Sequence, residues 1–325
     1  MRTLLYHILC FFLLHSMFSC NKKSELEINS NTNNISPVIA DNFSLSSLHI
    51  AVQKSKFSDL LNSPGPYTVL APTNVAFVNK GYGNIRDLIM ESHDVLNDLT
   101  RYHILDGSYD FKKLPFMFSQ ELESRGGKMF LTKWVYNKDT VISINGSRVF
   151  LQPISASNGS IWVIDKVLET NIHQNLFHAI SADPELTLFA RAIFRAGLQK
   201  QYEQKMLQTV FVPNNKAMIS FGLNSLEEID KREEKELASF VISHSMIDAR
   251  FLDEFIFTIG SSKERKQLMN DERSILLKLV KDRDGFESLV IRGIANSSDI
   301  KIIKPNTLTG NGVLHIIDAV IKTQP

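Results

Sequence analysis

Cysteine is nearly absent from this chain of 325 residues. Its two cysteines, Cys10 and Cys20, both lie among the first 20 residues. From Asn21 onwards the chain therefore has no disulfide framework, and it can provide neither a cysteine-ligated metal site nor a cysteine nucleophile. The folded part must be stabilised by its hydrophobic cores.

The chain also lacks a dominant charge. Lysine and arginine number 36, aspartate and glutamate number 35, and the formal net charge is +1. Without a strong positive field to attract nucleic acid, we predict no nucleic-acid partner. Enzyme motifs are missing as well: there is no G-x-S-x-G elbow, H-E-x-x-H helix, G-x-x-x-x-G-K-[ST] loop or G-x-G-x-x-G fingerprint. We therefore expect no catalysis and no cofactor.

The apolar run near the N-terminus is too short for a comfortable membrane span. It extends from Leu4 to Phe18, whereas a membrane helix needs about 20 residues, and with Arg2 before it the run fits an export signal. It ends in Ser19-Cys20, which resembles the lipobox of bacterial lipoproteins, whose cysteine is acylated and becomes the first residue. We predict lipidation at Cys20; the alternatives are a plain signal peptide and a short anchor.

Polar residues follow this leader. The segment NKKSELEINSNTNNIS is rich in asparagine and has scarcely any apolar periodicity. Such a segment buries too little apolar surface to order itself. We predict a flexible tether over 21–43 between the lipid and the folded body; a disordered N-terminus without a purpose would have the same sequence character.

An internal repeat dominates the rest of the chain. The matching pairs are TVLAPTN at 68–74 and TVFVPNN at 209–215, RYHIL at 101–105 and ISHSM at 242–246, and NGSIWVIDKVL at 158–168 and NGVLHIIDAVI at 311–321. The first two pairs are 141 residues apart (209 − 68) and the third pair is 153 residues apart (311 − 158). Three ordered matches at a domain-sized offset indicate a duplicated domain.

Each repeated segment favours a specific local structure. The β-branched and apolar runs YTVL and TVFV favour strands, which Pro72 and Pro213 end because proline has no backbone N–H. Asn74 and Asn215 can cap a following helix. The Asn-Gly pairs predict tight turns before almost wholly apolar strands, and helical patterns fill the intervals. Strands mixed with helices in each unit predict an α+β fold.

Together these segments resemble the signature of the fasciclin-like (fasciclin I) domain, over about 44–170 and 172–323. The resemblance implies two tandem domains, each a wedge-shaped pair of β-sheets flanked by helices. It also implies adhesion or ligand binding, without catalysis, in secreted and membrane-anchored proteins. Two positions depart from the pattern: the histidine of the final strand is Trp162 in the first unit, and the tyrosine of the Tyr-His pair is Ser243 in the second.

The predicted organisation is a signal peptide over 1–20, the tether over 21–43, unit 1 over 44–170 and unit 2 over 171–325. Almost no linker separates the units, so we expect their relative orientation to be restricted. The motif positions to which we assign a structural role are Thr68, Pro72, Asn74, Thr209, Pro213, Asn215, His244, Asp165, His315 and Asp318.

The histidines and motif aspartates do not predict a metal site. His173 and His178 are five positions apart, which is not the i, i+4 spacing that places two ligands on one helix face. Asp165 and Asp318 each stand alone in their unit, and we expect them to accept hydrogen bonds from backbone N–H groups. We therefore predict no metal.

The resemblance implies a first candidate contact with a partner. The Tyr-His region is linked to receptor binding in animal members of the family, and the matching residues here are Tyr102 and His103. The alternative is that His103 and His244, which end apolar helix faces, are buried and hydrogen-bond the nearby sheet.

The second candidate contact comes from a length difference. Unit 2 has 12 more residues than unit 1 (153 − 141) between its histidine and its final strand. We place this surplus in a charged surface loop over 257–274, where Lys263, Arg265 and Lys266 are predicted to contact an acidic partner or a glycan. The alternative is a solvated loop without a partner.

These features predict a non-catalytic, lipid-anchored binding or adhesion protein of a Gram-negative cell envelope. Its ligand would be a protein or glycan at the cell surface, and its lipid would hold it to the outer membrane on the periplasmic or the outer side. One alternative is an accessory lipoprotein of an outer-membrane nutrient-capture complex. Another is a hydrolase that acts on extracellular polymers.

Overall fold

The computed structural model of the protein describes residues 33–136, 138–281 and 287–323. The predicted signal peptide, Cys20 and residues 21–32 of the predicted tether lie outside the described residues. Within the described ranges, no helix combines the length and the apolar character that a membrane crossing requires.

Unit 1 places short helices before and after its first strand and an antiparallel sheet in its second half. The helices are α1 Ile35–Ala40, α2 Ser46–Lys54, α3 Ser58–Asn62, α4 Asn74–Asn79, α5 Ile85–Met90 and α6 His93–Tyr102, with 3₁₀ turns at Phe43–Leu45 and Phe111–Lys113. The strands are β1 Tyr67–Pro72, β2 Ile104–Asp106, β3 Gln120–Ser124, β4 Gly127–Tyr136, β5 Asp139–Ile144, β6 Ser147–Arg148, β7 Ile154–Ala156 and β8 Gly159–Ile164.

Unit 2 repeats this order. Its helices are α7 Leu176–Ala182, α8 Thr187–Arg195, α9 Gln199–Glu203, α10 Asn215–Phe221, α11 Leu226–Asp230, α12 Glu234–Ile242 and α13 Leu252–Ile259, with 3₁₀ turns at Pro184–Leu186 and Gly260–Ser262. Its strands are β9 Gln208–Pro213, β10 Ser245–Ile247, β11 Glu264–Leu268, β12 Ser274–Lys281, β13 Glu287–Arg292, β14 Ile300–Thr309 and β15 Gly312–Ile317.

A parallel pair of strands lies at the centre of each unit. β1 pairs with β8 and β9 pairs with β15 in the same register, with Tyr67 opposite Gly159 and Gln208 opposite Gly312. All residues of β1 and β9 are buried, as expected for strands covered on both faces. A Cβ atom on Gly159 would lie 1.9 Å from the Tyr67 carbonyl oxygen. The close approach of these two strands therefore requires glycine after the repeated asparagine.

The strands form two sheets in unit 1 and one continuous sheet in unit 2. In unit 1 one sheet has the order β2-β1-β8-β7 and the other has the order β3-β4-β5-β6. In unit 2 the equivalent strands form one seven-stranded sheet, β10-β9-β15-β14-β13-β12-β11. The long strand β14 joins its two halves, and register shifts in its pairing with β15 mark the bend. The predicted α+β architecture, with paired sheets and flanking helices, is confirmed.

The tether is shorter than predicted. Residues 35–40 form α1, and Ile35, Val38 and Ile39 are buried in the core of unit 1. The Asn158 side-chain oxygen accepts a hydrogen bond from the Ile35 N–H at 2.8 Å. The segment ISPVIA carries enough apolar surface to pack, so the tether prediction now concerns only the residues before Asn33.

The surplus residues of unit 2 are spread over several connections, and the prediction of a single loop over 257–274 is wrong. Most of that range belongs to α13, to the 3₁₀ turn that follows it and to strand β11, and Met269 packs in the core. The largest addition precedes β14, which starts 13 residues after β13 starts (300 − 287), against 8 residues from β5 to β6 (147 − 139). Backbone pairing with β12 places β11 in the sheet, although its one apolar residue, Leu268, is exposed.

The two units share a buried polar interface. The Ser143 hydroxyl of unit 1 donates a hydrogen bond to the Glu254 carboxylate of unit 2 at 2.7 Å, and Glu254 is fully buried. The Ser119 hydroxyl donates to the Ala249 carbonyl at 3.0 Å. The Arg250 guanidinium lies 3.6 Å from the centre of the Phe118 ring. These contacts join the units directly, as expected for a restricted relative orientation.

Candidate functional site

The repeated histidines are internal structural groups. His103 and His244 are fully buried. Each Nδ1 hydrogen-bonds a carbonyl one turn earlier in its helix, and each Nε2 accepts an N–H from the segment after the final strand, at 3.0 Å from Leu168 and Ile321. Burial lowers the pKa of both imidazoles to about 4. They therefore join the end of the helix, as neutral groups, to the segment that follows the final strand.

Tyr102 does not offer its side chain to a partner. It is fully buried, and its hydroxyl donates to the Lys128 carbonyl at 2.7 Å and accepts from the Asn145 side chain at 2.8 Å. Burial raises its pKa above the usual tyrosine range. Neither Tyr102 nor His103 therefore has an exposed side chain for the predicted contact with a partner.

The repeated asparagines and threonines have roles that the local pattern does not reveal. Thr73 and Asn214 cap α4 and α10, which corrects the prediction that Asn74 and Asn215 do so. The Asn74 side chain instead accepts the Ser47 N–H at 2.9 Å and donates to the Phe43 carbonyl at 2.8 Å. Asn74 thereby holds the start of α2 next to the end of β1.

Similar side-chain hydrogen bonds to backbone occur in unit 2 and at the start of each central strand. Asn215 binds the Leu188 N–H and the Pro184 carbonyl in the manner of its partner in unit 1. The Thr68 and Thr209 hydroxyls each bridge a carbonyl and an N–H in the loop that follows the second strand of the unit. The repeated segments at 68–74 and 209–215 therefore hydrogen-bond neighbouring backbone within their own unit.

Trp162 and His315 perform one task from equivalent positions. The Trp162 Nε1–H donates to the Tyr109 carbonyl at 3.1 Å, and His315 Nε2 hydrogen-bonds the Arg250 carbonyl at 2.9 Å. Tyr109 and Arg250 are themselves 141 positions apart (250 − 109). The departure from the family pattern in unit 1 thus keeps a ring N–H in place.

The remaining motif residues are also engaged internally. Asp165 accepts from the Arg148 N–H at 2.8 Å, and Asp318 accepts from the Lys301 N–H at 2.7 Å, as predicted. The asparagine of each Asn-Gly pair does more than turn the chain. Asn158 and its counterpart in unit 2 bind the first helix of the unit and the loop before the central strand.

The predicted basic contacts of unit 2 separate into two groups. Lys263 and Lys266 are exposed. Arg265 is half-buried: it donates to the Thr258 carbonyl at 3.3 Å, and its guanidinium lies 5.9 Å from the ring centre of Trp134 in unit 1. Arg265 therefore belongs to the contact between the units.

The sequence analysis missed a cleft in unit 2. The cleft has a volume of about 690 Å³ and lies between α12, the end of α10 and the segment after β15. Its floor is apolar: Leu223, Leu237 and Ile321 are buried. Phe221 and Phe240 form its wall, stacked with their ring centres 5.6 Å apart, and Phe221 is 42% exposed.

Three cations stand at the rim of this cleft. Arg232 pairs with Glu236 at 3.1 Å, and these side chains are 45% and 57% exposed. Arg273 pairs with Asp271 at 3.8 Å and donates to the Thr323 hydroxyl at 3.4 Å. The third cation is Lys322, whose ammonium lies 5.8 Å from the Phe221 ring centre. An apolar floor under a cationic rim suits a ligand that combines an apolar group with negative charge.

Unit 1 has a different surface at the equivalent positions. Ser243 lines the cleft where unit 1 has a buried tyrosine. The repeat offsets align Phe221 with Lys80, Arg232 with Glu91, and Lys322 with Glu169. Lys80 and Glu169 pair with each other in unit 1. The cleft is therefore specific to unit 2, and the signal available in the sequence was the replacement of the repeated tyrosine by serine.

A larger groove of about 980 Å³ in unit 1 is less suited to selective binding. It is lined by exposed apolar side chains, including Phe43 at 93% and Val75 at 66%. Its charged lining residues balance, since Lys80 and Lys166 are matched by Asp165 and Glu169. The groove has no unbalanced charge to select a ligand.

Comparison with known proteins agrees with this arrangement. The family model described as "Fasciclin domain" matches residues 43–170 and 184–323. Protein sll1483 of Synechocystis sp. is 33% identical over 132 residues, which cover 40% of this chain and 70% of that protein. Human periostin is 26% identical over 279 residues, which cover 83% of this chain and 30% of periostin. The chain thus spans under a third of the length of periostin.

A solved structure is similar as well. It is a FAS1 domain pair from the insect cell adhesion molecule fasciclin I, with a TM-score of 0.42 and 17% identity, covering 86% of this chain and 97% of that chain. Because the fasciclin domain matches most of the chain, in two tandem copies, this protein belongs to the fasciclin domain family.

Proposed function

We propose that this chain is a non-catalytic binding or adhesion protein of a Gram-negative cell envelope, anchored through a lipid on Cys20. Proteins with fasciclin domains are typically adhesion or extracellular binding proteins. The partner would be a protein or a glycan at the cell surface. The anchor, on either side of the outer membrane, would keep the two units close to the membrane while the segment after Cys20 gives them reach.

One observation carries the proposal: the repeated side chains form hydrogen bonds inside the fold. The motif histidines, asparagines and threonines of both units hydrogen-bond neighbouring backbone within the same unit. The surfaces of the units, in contrast, differ, as the cleft of unit 2 illustrates. A shared scaffold with dissimilar surfaces supports binding, because recognition depends on surface residues that the scaffold leaves free to vary.

The anchor can be tested by mass and by fractionation. Membrane-extracted protein should show the mass of an acylated N-terminal Cys20, and Cys20→Ser should release the protein from the membrane fraction. Cys10→Ser, within the leader, is the matched control and should leave the protein anchored. A mature N-terminus at another residue, with Cys20 unmodified, would refute the anchor.

Binding can be tested with the exported chain lacking the lipid. A glycan and peptide array should retain the chain without releasing products. Release of cleaved polymer would refute the non-catalytic assignment and favour a hydrolase.

A further inference from the structure

We propose that the cleft of unit 2, lined by Phe221, Arg232, Phe240, Ser243, Arg273 and Lys322, binds an acidic peptide segment of a partner protein. The segment would place one aliphatic or aromatic side chain on the apolar floor and carboxylates at the cationic rim. This inference rests on the proposed binding function and identifies the chemical class of the ligand.

The floor fits an apolar side chain. Leu223, Leu237 and Ile321, which line the cleft, are at most 4% exposed and supply its apolar base. The Phe221 ring, 42% exposed, stands above this base and is supported by Phe240. The ligand gains chiefly by covering the exposed Phe221 ring, because removing apolar area from water favours binding in proportion to the area buried.

The rim fits carboxylates. The ion pair between Arg232 and Glu236 is about half exposed, and pairs of this kind contribute little to stability. A carboxylate of the ligand can therefore replace Glu236 at the guanidinium with little loss. Lys322 is exposed, and among the described residues its ammonium has an aromatic ring and no carboxylate within ion-pair distance. An arriving carboxylate gains the attraction of this charge.

A peptide fits this cleft better than a glycan does. Sugar hydroxyl groups need hydrogen-bond partners. Of the hydroxyl groups that line the cleft, that of Ser243 already donates to the Phe240 carbonyl and that of Thr323 to Asp271. An apolar peptide side chain flanked by carboxylates matches both the floor and the rim.

Unit 1 provides an internal comparison. At the position of Lys322 it has Glu169, which pairs with Lys80, and at the position of Arg232 it has Glu91, which accepts the Tyr82 hydroxyl at 3.1 Å. These positions reverse the charge of the rim. Acidic peptide should therefore bind one site per chain.

The test is fluorescence anisotropy with the exported chain from Asn21 to Pro325 and a labelled acetyl-EELFEE-amide peptide. The controls are acetyl-QQLFQQ-amide, acetyl-EEGGEE-amide and unlabelled trigalacturonate as a competitor. Binding should follow one site, weaken as salt is raised, and fall by about tenfold or more with either control peptide. Trigalacturonate at a matched carboxylate concentration should not displace the peptide.

Charge-reversal variants locate the site. Lys322→Glu should weaken peptide binding by about tenfold or more, whereas Lys216→Glu, an equal charge change on the exposed side of α10, should change it less than twofold. Phe221→Ala should weaken binding of the acidic peptide and leave the melting temperature close to that of the parent chain.

Two results would overturn the inference: equal binding of the acidic and neutral peptides, or unchanged binding in Lys322→Glu. Displacement by trigalacturonate would assign the cleft to an acidic glycan instead. Failure of the cleft is distinguishable from failure of the proposed function, because array retention of the parent chain and its anchoring at Cys20 are measured without the peptide.

Discussion

The buried histidines should make the protein sensitive to mild acid, and His244→Leu tests this quantitatively. His244 is fully buried, and burial lowers its pKa from 6.5 to about 4. His315 in the same unit and His103 in unit 1 have the same lowered pKa for the same reason. Between pH 6.5 and pH 4 the unfolded chain binds more protons at these sites than the folded chain does. Their contribution to stability is therefore complete above pH 6.5 and is lost as the pH falls towards 4.

The size of the effect follows from the pKa difference. At pH 5 an unfolded imidazole of pKa 6.5 is mostly protonated, and each site loses about 2 kcal/mol of stability relative to pH 7. Unit 2, with two such histidines, should lose about 4 kcal/mol and unit 1 about 2 kcal/mol through these sites. His244→Leu leaves the Ile321 N–H without a partner, while the Phe240 carbonyl keeps the hydrogen bond from the Ser243 hydroxyl, so the cost at pH 7 is about 1–3 kcal/mol. At pH 5 the cost should shrink by about 2 kcal/mol, because the variant has no imidazole there to protonate.

Urea denaturation at pH 7 and pH 5 measures these quantities. Far-UV circular dichroism reports both units, whereas the buried Trp162 reports unit 1. The measurement uses a Trp134→Phe background, because Trp134 contacts Arg265 of unit 2. At pH 5 the dichroism transition should begin before the change in tryptophan emission. His93→Gln, at an exposed position, controls for loss of a histidine and should change stability at pH 7 by less than about 0.5 kcal/mol.

One comparison decides the matter. If the difference in unfolding free energy between the parent chain and His244→Leu is the same at pH 5 as at pH 7, His244 does not change its protonation on unfolding in this range. The assignment of a buried, neutral imidazole would then be refuted.

Three further predictions concern positions where the structure changes the expectation. Tyr102→Phe should lower the unfolding free energy by about 1–2 kcal/mol, because the hydroxyl bonded to the Lys128 carbonyl is lost. Array binding should be unchanged. Weakened binding with an unchanged urea midpoint would contradict the structural role. Glu254→Leu should lower the unfolding free energy by about 3–5 kcal/mol, because Arg250 loses its buried counter-charge. It should also broaden the distribution of inter-unit distances measured by X-ray scattering. An unchanged scattering profile would disprove that this ion pair couples the two units. Replacing 261–272 by a short Gly-Ser link should lower the melting temperature, since it removes β11 and buried Met269; an unchanged transition would restore the loop interpretation.

The sequence predicted most of the fold because its signals are local or repeated. The strand runs that end at Pro72 and Pro213, the Asn-Gly turns and the duplication all rest on residues adjacent in the chain or on identical letters at a fixed offset. The bounds of β1 and β9 end at these prolines, as predicted. Local chemistry also predicted the aspartates that accept backbone hydrogen bonds.

Local reasoning failed where a side chain acts over a long distance in the chain. Asn74 satisfies the criteria for a helix cap, but its partners lie 27 and 31 positions earlier. Arg265 reads as a solvated cation, yet it lies beside Trp134 of the other unit. Distance along the chain carries no information about such pairs, because burial against a second element decides them.

The sequence by itself determined a duplicated α+β architecture, the class of fasciclin-like units and the absence of cysteine from residue 21 onwards. Tertiary structure decided which surfaces can bind. It buried Tyr102 and His103, and it brought Arg232, Arg273 and Lys322, which are up to 90 positions apart (322 − 232), to one rim. The physical reason is that a fold depends on periodic apolar patterns, which adjacent residues encode, whereas a binding site depends on charges and cavities that only packing brings together.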